Sequence, residues 1–168
     1  MLIACCTAST VYERLARSER EVSIPIISPA ARAAAKYNKI AVIATEATVR
    51  SRAFSREISA LRPECLIDEI PTQRLVEYVE RGARCGSMQT DCERMLDGLS
   101  DRIKSEKYDA LVLGCTHFSH LEGEFQKRLP SVSVISPARE GAAALCKALK
   151  QKNKDFCQGN GRTVYIRS

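Results

Sequence analysis

The run Lys-Ile-Ala-Val-Ile-Ala at 39–44 constrains the fold more than any other part of the sequence. It is unbroken, apolar, rich in β-branched residues and too short for a buried helix, so it predicts a strand covered on both faces. Such strands belong to parallel sheets with helices packed on each side. The flanking segments keep to that plan. Short apolar runs at 2–6, 24–27, 65–70, 108–113 and 132–135 read as further strands. Helical patterns fall between them, at 8–17, 30–36, 45–61 and 71–80. Three more helices carry Met95, Leu96, Leu99 and Ile103; Leu121, Phe125 and Leu129; and the stretch from Pro137 to Leu149. Strand–helix alternation predicts an α/β fold with a mostly parallel sheet.

Local signals refine the helix starts. Thr45 is placed to cap the helix after the central strand. Thr90 with Glu93, and Ser119 with Glu122, have the spacing of capping boxes. Residues 81–88 read as a glycine-containing loop, and 151–168 as a polar tail with a Gly159-Asn160-Gly161 turn.

Composition narrows the function classes. Hydrophobic residues make up 45% and charged residues 27%, an ordinary globular balance that excludes disorder or a fibrous repeat for the whole chain. No apolar run approaches the roughly 20 residues that span a bilayer. The first residues carry no basic segment before their short apolar stretch, so a cytoplasmic protein with no membrane partner is expected. The net charge is +6, but Trp is absent and aromatics are 5%, which leaves few stacking platforms. Arg14, Arg17, Arg20, Arg32, Lys36, Arg50, Arg52 and Arg56 are scattered at helical spacing, as on a solvated basic surface rather than a nucleic-acid stripe. There are eight cysteines, with no CxxC pair and only two His, so free thiols are expected and no metal site. Cys92 and Cys146, in helical stretches, read as small core residues.

In open α/β sheets, ligands bind beyond the carboxyl ends of the strands. Three predicted strands end there in small polar clusters: Cys5-Cys6-Thr7-Ala8-Ser9, Thr45-Glu46-Ala47-Thr48 and Gly114-Cys115-Thr116-His117. Two of them place a thiol just ahead of a Thr. A thiol titrates near working pH, so it serves as base when ionised and acid when protonated. Two thiols on opposite sides of one α-carbon can take a proton from one face and return it on the other. That is racemisation without a cofactor. His117 is placed to tune Cys115. A Cys–His nucleophile pair is the competing reading, but no orienting carboxylate is evident near it in sequence.

These residues resemble the aspartate/glutamate racemase family. Residues 111–121, LVLGCTHFSHL, are similar to the LGCTHYPLL signature of glutamate racemases. Residues 3–9, IACCTAS, resemble their IACNTAS motif, and 43–51, IATEATVRS, their IGTxAT segment. The likeness covers roughly 2–149. It implies two similar lobes with mostly parallel sheets and the substrate, L- or D-glutamate, between them. It implies a partial first lobe from 1–26 plus 116–168, and a second lobe from 27–115. It further implies Cys5 and Cys115 as the acid/base pair and His117 as an auxiliary to Cys115. Cys6, Thr7, Thr45, Thr48 and Thr116 become substrate-binding residues. No cofactor is implied, and the product role is D-glutamate for peptidoglycan.

Two departures stand beside the likeness. Cys6 occupies the position of the family's Asn, and a thiol lacks the amide's donors and acceptor. The family's opening D-S-G loop and P-Y-G segment do not occur in the 168 residues. The first lobe is therefore expected to be incomplete, with an exposed edge at the first strand. The expected consequences are a homodimer, a complementing N-terminal fragment, or a truncated and inactive relative that acts as a binding protein or survives as a gene remnant.

Overall fold

The computed structural model describes residues 1–81 and 87–151. Six strands form two parallel sheets. β1 (Leu2–Ile3) pairs with β2 (Ile24–Pro25), Leu2 opposite Ile24. The larger sheet has the order β4–β3–β5–β6, with β3 Lys39–Ala44, β4 Leu66–Pro71, β5 Ala110–Leu113 and β6 Ser133–Ile135. The nine helices described are α1 (Cys6–Ser9), α2 (Arg17–Glu21), α3 (Ile27–Ala34), α4 (Glu46–Ser51), α5 (Ala53–Leu61), α6 (Gln73–Glu80), α7 (Ser87–Ser105), α8 (Glu122–Arg128) and α9 (Pro137–Gln151).

β3 is the strand its composition predicts. Ile40 through Ala44 are fully buried. The strand's two-residue period divides them between two cores. Ala41 and Ile43 join Leu111, Leu113, Phe118 and Phe125 on one face; Ile40, Val42 and Ala44 join Ile27, Ala30, Phe54 and Ile58 on the other. α3 and α5 cover the second face, and α6, α7 and α8 cover the first. α9 packs on α3 and on β1 and β2. It does so at Gly141, where a Cβ would stand 2.9 Å from Ile26 Cγ1. β6 lies beside β5, so the expected lobe boundary after Cys115 passes between two hydrogen-bonded strands of one sheet.

Several predicted elements are redrawn by side-chain hydrogen bonds. The first strand stops at Ile3, because the Cys5 thiol accepts the Ala8 N–H at 3.5 Å and caps α1. The helix predicted at 8–17 becomes α1, a 3₁₀ turn (Tyr12–Arg14) and α2. Thr10 Oγ1 donates back to Thr7 O at 2.7 Å, a bond that competes with helix continuation. The strand predicted at 24–27 shortens to Ile24–Pro25. α3 starts at Ile27 and takes Pro29 into its first turn, where no N–H is required.

The helix predicted from Thr45 to Leu61 breaks at Arg52, which is left-handed at φ 55°. α5 then starts on the Glu69 carboxylate of β4, which accepts the Ser55 N–H at 2.9 Å. Thr90 lies inside α7 rather than at its cap, since Ser87–Gln89 simply extend the helix. Ser119 lies in a 3₁₀ turn (Thr116–Leu121) and pairs with Ser136, while Glu122 is held by Arg139 at 2.5 Å; neither forms the predicted box. Cys92 is buried as expected. Cys146 is exposed, on the face of α9 opposite Gly141 and the apolar contacts. The predicted tail, beyond Gln151, lies outside the described residues, as does 82–86 of the predicted loop.

Candidate active site

The carboxyl ends of β1, β3 and β5 converge. Beyond β1, Cys5 is extended and exposed at the N-cap of α1. Beyond β3, Thr45 caps α4 by accepting the Thr48 N–H at 3.3 Å, as its sequence position predicts. Beyond β5, Gly114 donates its N–H to Ile43 O at 2.7 Å. A Cβ there would lie 2.9 Å from that oxygen and 3.0 Å from both Ala44 Cβ and Val42 Cγ1. Only glycine lets β5 leave the sheet this close to β3. Cys115 follows it, extended and buried, and the chain then turns into the 3₁₀ segment that opens with half-buried Thr116.

Thr7, Thr45 and Thr48 form a triangle of hydroxyls. Thr7 Oγ1 lies 3.2 Å from Thr45 Oγ1 and 3.1 Å from Thr48 Oγ1, and Thr45 Oγ1 donates to Thr48 Oγ1 at 3.0 Å. Each hydroxyl has one proton and two lone pairs, so the three can satisfy one another in a ring. The ring ties α1 to α4, and hence the end of β1 to the end of β3. Three residues drawn from two distant sequence clusters are thus in direct contact.

Cys115 Sγ lies 3.6 Å from His117 Nδ1. The 3₁₀ turn that opens at Thr116 brings the His117 ring back beside the sulfur. His117 Nε2 lies 3.3 Å from Glu80 Oε1, at the last residue of α6. Glu80 is the orienting carboxylate that the sequence does not reveal, because it comes from a different helix. Its contact with the His fixes which ring nitrogen faces the sulfur.

The thiols differ in setting. Burial raises the pKa of Cys115 above the usual thiol range; the N–H groups of His117 and Phe118 act against this, and the charges of Cys5 and Glu80 add to it. Cys6 is nearly inaccessible and belongs to the apolar cluster of Ile26 and Ile27. Burial pushes its thiol far up, with the charges of Cys115 and Cys5 contributing. Cys6 is therefore a protonated core thiol in this arrangement, packed into the core rather than presented to a substrate as its motif position implies.

Comparisons with known proteins agree with the fold. A model of the Asp/Glu/hydantoin racemase family matches residues 1–145. The glutamate racemase of Limosilactobacillus reuteri is 35% identical over 158 residues, covering 92% of this chain and 58% of that protein. That of Gloeobacter violaceus is 37% identical over 153 residues, covering 89% and 56%. The chain thus spans less than three-fifths of the length of these relatives. Among solved structures, glutamate racemase RacE1 of Bacillus anthracis superposes with a TM-score of 0.76 at 28% identity, covering 91% of this chain and 58% of that one. The Francisella tularensis glutamate racemase, solved with D-glutamate, also reaches 0.76, at 23% identity and with 95% and 60% covered.

Proposed function

The chain belongs to the Asp/Glu/hydantoin racemase family, and from that premise we propose that its site interconverts L- and D-glutamate by proton transfer between two thiols. In one direction the thiolate of one cysteine, Cys5 or Cys115, removes the α-proton. The protonated thiol of the other then delivers a proton to the opposite face of the planar carbanion. Each turnover leaves one thiol newly protonated and the other newly ionised, so the reverse direction uses the same pair with roles exchanged. No electron leaves the substrate and no group is transferred. The pair therefore suffices without a cofactor.

The observation that carries this reading is Cys115, backed by His117 and Glu80 beyond β5, with the Cys5–Thr7 segment tied to the neighbouring end of β3 through the contacts of Thr7 with Thr45 and Thr48. The relay gives Cys115 a base and acid partner and gives that partner a fixed orientation. Thr7, Thr45 and Thr116 turn their hydroxyls to the substrate's carboxylates when it binds, and the fully buried Thr48 holds Thr7 and Thr45 in place. The relatives named glutamate racemase, and the structural neighbour holding D-glutamate, support glutamate as the substrate. The proposed role is D-glutamate supply for peptidoglycan, in the cytoplasm. Among the described residues no helix is long and apolar enough to cross a membrane.

The test is deuterium washout. The purified chain is incubated with L-glutamate in D₂O, and the α-proton is followed by NMR. Loss of that signal with D-glutamate appearing is expected, and Cys115→Ala should abolish both while leaving the circular dichroism spectrum unchanged. A folded wild-type chain that exchanges nothing would overturn the proposal and leave a racemase relative without the chemistry.

A further inference from the structure

The amino end of the larger sheet holds a cluster of titratable groups that takes no part in the proposed reaction. Tyr108, two residues ahead of β5, is buried. Its hydroxyl oxygen lies 2.7 Å from Asp68 Oδ2 and 2.7 Å from Glu106 Oε2. Asp68 is on β4, opposite Ala41 of β3. β3 lies between β4 and β5, so the phenol reaches across the central strand. Lys39, on the same face of β3 as Ala41, lies over the Tyr108 ring with Nζ 4.6 Å from its centroid. Its Nζ donates to Glu106 O at 2.6 Å. Between Glu106 and Tyr108 the chain turns at Lys107, which is left-handed at φ 58°, an uncommon conformation for a residue with a side chain.

Counting protons shows what this arrangement requires. A phenol carries one proton and an ionised carboxylate carries none. At 2.7 Å each contact is a full O–H···O hydrogen bond. Two such bonds need two protons, one more than the phenol supplies. Without the second, one carboxylate faces a lone pair of the phenol oxygen. The surrounding charges decide which carboxylate takes it. Glu106 Oε1 pairs with Arg102 Nε at 2.8 Å, and the phenol and this guanidinium hold the Glu106 carboxyl below the usual carboxylate range. Lys39 adds its charge on the same side. Glu106 therefore stays ionised and accepts the phenol proton. Asp68 makes no salt bridge among the described residues, although the charge of Arg102 also bears on it. Asp109, the other carboxylate at this end, accepts the N–H groups of Asn38 and Lys39 at 3.1 and 2.9 Å.

We propose that Asp68 binds a proton on mild acidification and donates it to the Tyr108 oxygen, completing an acid-strengthened clamp that joins β4, β5 and the end of α7. Carboxylates crowded around one site share protons in this way. The completed clamp exists only in the folded chain, which therefore holds this proton more tightly than the unfolded chain does. Its contribution to stability is full below the range where the unfolded carboxyl titrates, and is lost as pH rises through the range where the folded cluster releases the proton. The cluster sits at the end of the sheet opposite Thr45 and Cys115, so the device acts on the fold whether or not the site racemises glutamate.

Carboxyl-carbon NMR of the full chain tests this without a variant. The Asp68 signal is expected to titrate at higher pH than aspartate in a short peptide, and titration at the peptide value or below it overturns the proposal. Asp68→Asn is neutral at every pH and can donate an N–H to the phenol oxygen, so it imitates the protonated state. In urea unfolding the ratio of the wild-type to the Asp68→Asn unfolding constant should fall roughly three- to tenfold between pH 7.5 and pH 4.5. In a Tyr108→Phe background, which keeps the ring under Lys39 and removes the acceptor, that change should shrink. A ratio that stays constant with pH, or rises toward acid, overturns the proposal. So does a pH dependence that Tyr108→Phe leaves at full size.

Discussion

Gly114→Ala and Gly98→Ala are the same chemical change and should have opposite signs. At Gly114 the new methyl would meet Ile43 O at 2.9 Å and Ala44 Cβ and Val42 Cγ1 at 3.0 Å. Carbon atoms in van der Waals contact prefer about 3.5–4.0 Å. All three neighbours belong to β3, buried on both faces, so none swings away as the tip of a flexible side chain would. Gly114 is outside the left-handed region, so the cost is one of contact and not of backbone conformation. Overpacking of this kind costs about 1–3 kcal/mol. Forcing the strands apart also lengthens the 2.7 Å bond from Gly114 N–H to Ile43 O, whose net worth is about 1 kcal/mol. Reduced freedom of the unfolded chain returns about 0.4–1 kcal/mol. The net expectation is a loss of about 1–3 kcal/mol.

Gly98 has nothing within 4 Å of its would-be Cβ and lies inside α7, so alanine there should gain up to about 1 kcal/mol. Urea unfolding followed by circular dichroism reads both as shifts of the midpoint at constant slope. Gly114→Ala should further cut racemisation by more than its unfolded fraction explains, because it displaces Cys115. A change under about 0.5 kcal/mol at Gly114, or a loss at Gly98 equal to it, would refute the argument that the close approach of β5 to β3 sets the position of Cys115.

Thr48→Val keeps the shape of a fully buried side chain and removes the hydroxyl that Thr7 and Thr45 share. A cost of about 1–2 kcal/mol in urea unfolding is expected, with faster exchange in α1, and a neutral result would mean that the triangle does not hold α1 to α4. Glu80→Gln should lower racemisation roughly tenfold, less than the 10²–10⁴ of a direct proton-transfer group, and should shift the pH profile of kcat/KM, which a purely structural role would leave in place. Burial raises the Cys6 pKa in the folded state above its unfolded value. Its protonated form therefore contributes stability that is full below the ordinary thiol pKa and is lost as pH rises toward the folded value. Above about pH 9 the wild type should lose about 1.4 kcal/mol per pH unit on account of this group, and Cys6→Ala should flatten the slope by that amount in unfolding measured from pH 8 to 10.5.

How far the molecule was readable from its residues depends on how local each cause is. β3 is legible to the residue because a continuous apolar run answers only to burial on both faces. Thr45 is legible as a cap because its partner is three residues away. The early stop of β1 at Ile3 is not, since it rests on a thiol acting as an N-cap acceptor, an uncommon role for Cys. The break at Arg52 carries no Gly or Pro to announce it, and the next helix starts on a carboxylate contributed by β4. The hydroxyl triangle was foreshadowed by residue type at two strand ends, but those strands lie in different sheets, and only the packing of α1 on α4 brings the hydroxyls together. Glu80 was beyond reach for the same reason. It is an exposed Glu at a helix end, identical in kind to many others, until the fold lays it against His117.

The unequal exposure of Cys5 and Cys115 has a kinetic corollary for the proposed reaction. L- and D-glutamate are mirror images and have the same free energy in water, so their equilibrium constant is one. It follows that kcat/KM must be identical from the two sides, whatever the protein does to either sulfur. Sinking one thiol into the core while leaving the other at the rim cannot enrich either enantiomer at equilibrium. It can only trade turnover against saturation. The direction with the slower turnover must saturate at a proportionately lower concentration. Progress curves started from either enantiomer should finish at the same racemate, with the asymmetry of the site written solely in the concentrations at which the two directions level off.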